Sequence, residues 1–216
     1  MIIYNPNNTN IKRERLELAK RVLENIPSKY CFITGSFLYK ENYKDIDVFV
    51  ITRSKKKIQS KNNKVKITII DFNDLHSLFY HSISKSCIAK NILPIKEFKV
   101  TISDYWSVIN EAVPTVMNQK RNFQKEIRFL ILYTEYLKYA RIIDTYELNK
   151  RASEFKKYED VLEYILDSAP EIMKKKARIT YIKRFFYTQA GFYKDIQYYE
   201  SQKFLYELAH LIIKEV

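Results

Sequence analysis

The sequence predicts an α+β protein, with a small mixed β-sheet domain over residues 1–102 followed by an all-helical bundle over residues 103–216. Three observations predict it. The short β-rich apolar runs "YCFIT", "DIDVFVIT" and "KVKITIIDF" all lie within the first 72 residues. From Ser103 onward, apolar residues recur every three or four positions in one segment after another. The charge divides along the same line: residues 1–100 hold 19 Lys and Arg against 9 Asp and Glu, and residues 101–216 hold 19 against 16.

The elements follow in order. "TNIKRERLELAKRVLENI" sets Ile11, Leu18, Val22, Leu23 and Ile26 near one helical face, with Asn10 or Thr9 as cap and Pro27 beyond the end. "YCFIT" is the first strand. "DIDVFVIT" and "KVKITIIDF" are the next two, joined as a hairpin by the basic linker between them. "NDLHSLFYHSISKSCIAKN" begins as a helix, and "EFKVTI" is a further strand candidate. Five helical segments come next: "SDYWSVINEAV", "NQKRNFQKEIRFLILYTEYLKYARII", "YEDVLEYILDSA", "PEIMKKKARITYIKRFFYTQA" and "YYESQKFLYELAHLIIKEV". Gly191 follows the fourth as a helix stop.

Composition narrows the chemistry. A content of 46% hydrophobic and 15% aromatic residues supplies a packed core. No window approaches 18 consecutive apolar residues, and the first 21 residues lack signal-peptide order, so a soluble, cytoplasmic protein is expected. Two cysteines make no disulfide framework, and three histidines give no zinc spacing. Oxygen ligands are therefore expected for any metal. The net charge of +13 is concentrated near the strands, where the segment 53–66 carries seven basic residues and no acid. A solvated loop accounts for such a run, and so does a polyanionic partner, a nucleotide or RNA or DNA.

Glycine is rare: two in 216 residues. Average usage would give about fifteen, so Gly35, set between "FIT" and Ser36, answers a backbone requirement. Ten residues on stand Asp45 and Asp47, followed by "VFVI". Alternation along a strand turns both carboxylates to one side and sends Ile46, Val48 and Val50 to the other. Paired carboxylates of this kind attract divalent cations, and Mg2+ suits oxygen donors best.

Read as "FITGS", the spacer "FLYKENYK" and "DIDVFV", this constellation resembles the nucleotidyltransferase superfamily that includes DNA polymerase beta, the minimal nucleotidyltransferases and the aminoglycoside nucleotidyltransferases. The resemblance covers about residues 10–75. It implies that Asp45 and Asp47 hold Mg2+, that Gly35 and Ser36 hold the β- and γ-phosphates of a nucleoside triphosphate such as ATP, and that a third carboxylate acts as metal ligand and base. That third position falls on Asp71 or, in another register, on Thr68. Asp45 and Asp47 also read as solvated turn acids, and Asp71 as a helix cap. His76, His81 and His210 fall on helical patterns. The leading expectation is a Mg2+-dependent nucleotidyltransferase. The alternative is a catalytically silent binder of nucleotides or nucleic acid, or an antitoxin-like partner of another protein.

Overall fold

The computed structural model describes residues 1–5, 10–53, 58–60, 62–119, 123–176 and 199–215. A five-stranded mixed sheet in the N-terminal part precedes a helical region, so the chain is α+β. It divides into two compact units, Met1–Lys99 with Ile142–Glu147, and Val100–Arg141 with Leu148–Val216.

In the first unit the strands are β1 (Ile2–Tyr4), β2 (Tyr30–Thr34), β3 (Ile46–Ile51), β4 (Val65–Ile70) and β5 (Cys87–Ala89), in the sheet order β1-β5-β2-β3-β4. Helix α1 (Arg13–Glu24) precedes β2, the short α2 (Ser36–Tyr39) joins β2 to β3, and α3 (Leu78–Lys85) precedes β5. Alternation along the strands divides the core between two sheet faces. One face, with Ile33, Val48, Val50 and Ile88, packs on Ala19 and Leu23 of α1 and on Phe37 and Leu38 of α2. The other, with Phe32, Ile51 and Ile70, packs on Leu75, Tyr80 and Ile83.

Several expectations need correction. The N-cap of α1 is Lys12 rather than Asn10 or Thr9. The β3–β4 hairpin is instead a parallel pair, with Asp47 opposite Lys66 and Ile51 opposite Ile70. The chain between them, residues 52–64, is long enough for the crossover that parallel pairing needs. "EFKVTI" forms no strand. Its Thr101 accepts from the Asp104 N–H at 3.2 Å, while the Asp104 carboxylate accepts from the Thr101 N–H at 2.7 Å. This reciprocal cap starts a helix at Ile102. The opening "IIY" adds an unexpected edge strand, antiparallel to β5.

The second unit contains α4 (Ile102–Gln119), α5 (Arg128–Tyr139), most of α6 (Thr145–Ala152), α7 (Tyr158–Lys176) and α8 (Tyr199–Glu215). α7 runs through Pro170, where the sequence suggests a break between two helices. Proline inside a helix costs about 3 kcal/mol, and complete burial of Ile165, Ala169 and Met173 on the same helix offsets it. Polar pairs lie within this core: Arg151 donates to the buried Glu135 carboxylate, and Tyr105 Oη lies 3.2 Å from Thr134 Oγ1. Gly191 and the aromatic run around it lie outside the described residues. Among the described residues no helix is long and apolar enough to cross a membrane.

Candidate functional site

Strand β2 ends at Thr34, which pairs in register with Asp47 of β3. Thr34 is buried, and its hydroxyl donates to the Ser86 carbonyl at 2.7 Å. Gly35 follows with φ +82° and ψ −157°, a backbone conformation open almost only to glycine. Crowding adds to this constraint. A Cβ built on Gly35 would stand 3.2 Å from Asp47 Oδ2, so the missing side chain lets the turn close against the carboxylate. Ser36, half-buried, then opens α2.

The spacer before the aspartates is wound around one arginine. Arg15 of α1 donates to the carbonyls of Phe37 (2.6 Å), Lys40 and Glu41 (2.9 Å). Its guanidinium carbon lies 5.2 Å from the centre of the Tyr43 ring, which in turn meets Phe37 edge to face. A planar fork of five donors suits three converging carbonyls, as a lysine would not. The loop thereby delivers Asp45 to the start of β3.

Asp45 and Asp47 are both partly exposed, whereas Ile46, Val48 and Val50 beside them are buried on the opposite face. The parallel partner strand supplies what lies next to them. Lys66 occupies the row of Asp47, and its ammonium forms an ion pair with Asp45 Oδ2. The Asp45 side chain is 18% exposed and that of Lys66 62%. The hydrogen bond and charge of Asp45, with a smaller contribution from Asp47, raise the Lys66 ammonium above the ordinary lysine range. Thr68 shares this face two residues further on, in the row of Phe49.

Asp71 lies elsewhere. It follows the last residue of β4, five positions beyond Lys66, which is about 16 Å along the strand. There its carboxylate accepts from the Asn73 N–H at 2.8 Å and caps the 3-10 helix Phe72–His76. Strand direction is the cause. In a hairpin the end of β4 would lie beside the start of β3, and in the parallel pair the start of β4 does. Gly35, Ser36, Asp45 and Asp47 are thus brought together, and Asp71 is at the other end of the strand.

Sequence reasoning missed three contributors. Arg15 was absorbed into the amphipathic pattern of α1, and Lys66 into the basic segment. The third is the chain 142–147, expected in the helical half, which belongs to the first unit. Ser82 donates to the Ile143 carbonyl at 2.7 Å, Thr145 Oγ1 lies 3.3 Å from Thr34 Oγ1, and Tyr146 meets Tyr39 edge to face. Of the basic segment, Lys55, Lys56 and Lys57 lie outside the described residues, and Arg53 stands over the Phe72 ring at 5.4 Å.

Two carboxylates on one face, both partly exposed, fit a single Mg2+, which commonly takes one or two protein carboxylates and completes its shell with water and phosphate oxygens. The fit does not extend to a two-metal set. An ammonium already sits on Asp45, and among the described residues no three His, Cys, Asp or Glu side chains group to hold a metal. Thiol chemistry is remote as well. Burial pushes the Cys31 thiol up to about 11 against a smaller opposing pull from Lys90, and burial raises Cys87 further.

Comparison with protein-family models, curated proteins and solved structures gave no match.

Proposed function

We propose that the chain is a cytoplasmic Mg2+-dependent nucleotidyltransferase that moves a nucleoside monophosphate from a nucleoside triphosphate such as ATP to a hydroxyl acceptor. The observation that carries this reading is the approach of Gly35 to Asp47, where a side chain is excluded beside a partly exposed carboxylate. Asp45 and Asp47 would hold the ion. When bound, it neutralises phosphate charge and lowers the pKa of the attacking hydroxyl. The turn at Gly35 and Ser36 leaves room for β- and γ-phosphate oxygens to approach backbone N–H groups. The acceptor oxygen attacks the α-phosphorus in line, a new P–O bond forms, the bond to the β-phosphate oxygen breaks, and pyrophosphate leaves. The hydroxyl proton passes to solvent.

A second reading, a binder without transfer, is favoured by one specific arrangement. Lys66 rather than an acid stands in the row of Asp47, and Asp71, the expected base, caps a helix about 16 Å away. Incubation with α-32P-labelled nucleoside triphosphates, Mg2+ and RNA, DNA, protein or small-molecule acceptors separates the two. Transfer of label that is lost in Asp45→Asn and Asp47→Asn supports the enzyme. Mg2+-dependent binding without transfer selects the silent reading.

A further inference from the structure

We infer that Lys66 is the resident counter-cation of the Asp45–Asp47 pair and competes with the divalent ion for it, so that metal enters by displacing the ammonium. The inference rests on the metal site of the proposed function and adds how that site is regulated. Two carboxylates on one strand face repel each other unless a cation joins them. The parallel register supplies that cation within the protein: Lys66 stands in the row of Asp47 and pairs with Asp45. Backbone pairing on both sides of Asp47, to Thr34 and to Lys66, fixes the lysine stem beside the acids.

Charge and exposure define the consequence. With Lys66 in place the cluster carries a formal −1, and a divalent ion added beside the ammonium would make it +1. Exchange of one cation for the other leaves it neutral. The lysine side chain is 62% exposed on a flexible four-carbon stem, so it can leave the acids without disturbing the core. Once released, it remains tethered at the same row, within reach of an incoming phosphate. Metal alone is therefore held weakly, and metal arriving with a triphosphate is held better, because the displaced ammonium gains a new anionic partner. By linkage, the triphosphate also binds better when the metal is present.

Mn2+ titration followed by electron paramagnetic resonance tests this on the intact chain without nucleotide. Lys66→Met is expected to bind Mn2+ roughly tenfold more tightly than wild type, because the repulsion between the ammonium and the ion is removed. Lys64→Met removes the same net charge from the exposed residue just before β4 and is expected to change affinity far less. Lys66→Arg keeps the charge and should stay near wild type, and Asp47→Asn added to Lys66→Met should cancel the gain. A Lys66→Met affinity no tighter than that of wild type or of Lys64→Met overturns the inference, as does undetectable Mn2+ binding in all of them. A parallel titration with an α,β-methylene nucleoside triphosphate separates the two claims. Tighter Mn2+ binding by Lys66→Met with no nucleotide binding by any variant would uphold the counter-cation and overturn the nucleotide site. Mg2+-dependent nucleotide binding with unchanged Mn2+ affinity in Lys66→Met would do the reverse.

Discussion

Gly35 and Asp47 are fitted to each other: the position of a Cβ on the glycine lies 3.2 Å from the carboxylate Oδ2, at a backbone φ of +82°. Either constraint alone would favour glycine, and together they tie the turn to the carboxylate. Gly35→Ala should therefore destabilise the first unit by about 1 kcal/mol or more and push the Asp47 side chain away from the turn. Urea denaturation reads the first effect, and titration with a non-hydrolysable nucleotide in Mg2+ reads the second as weaker binding. A variant that matches wild type in both would show the close approach to be unimportant.

Arg15 belongs to α1, yet it acts on the spacer. Replacing it with methionine leaves the carbonyls of Phe37, Lys40 and Glu41 without their shared donor. The expected loss is about 2 kcal/mol, given partial solvent access and the worth of charged hydrogen bonds. Lysine should rescue little of it, since a single ammonium cannot reproduce the fork. Denaturation midpoints of Arg15→Met and Arg15→Lys check this. Hydrogen exchange should show loss of protection concentrated at residues 37–46, and an even loss across the chain would contradict it.

The sheet face, the glycine turn and the placement of Asp45 and Asp47 were legible in the sequence because period-two alternation and a rare glycine are local signals. Strand direction was not. Parallel and antiparallel pairing of β3 with β4 satisfy the same apolar pattern, and only the long-range register decides whether Lys66 or Asp71 lies beside the aspartates. The chain 142–147 was hidden for a related reason. Its contacts with Thr34 and Ser82 join residues more than 60 positions apart in sequence, and no periodicity marks them.

The buried thiols give the fold a pH limit. Cys31 and Cys87 are protonated in the folded state well above the ordinary thiol range because burial disfavours the thiolate. An unfolded thiol ionises near about 8.5. Their stabilising contribution is complete below that value and is lost as pH rises toward the folded value of about 11 for Cys31. Stability to urea should be flat in this respect from pH 6 to about 8 and fall above about 9. Cys31→Ala should shallow that alkaline slope. A thiol reagent at pH 8 should leave both cysteines unmodified in the folded protein and label both in urea, and rapid labelling of the native chain would contradict their burial.

The most direct measurement is calorimetric titration of an α,β-methylene nucleoside triphosphate into wild type and Asp47→Asn, each with and without Mg2+. Wild type should bind the nucleotide in Mg2+ at least about tenfold more tightly than in chelator, a difference of about 1.4 kcal/mol. Asp47→Asn should keep its denaturation midpoint and lose that dependence, because Asp47 is partly exposed while Ile46 and Val48 beside it make the core contacts. Equal wild-type affinity with and without Mg2+, or an Asp47→Asn protein that binds as wild type does, would contradict a metal–nucleotide site at Asp45 and Asp47.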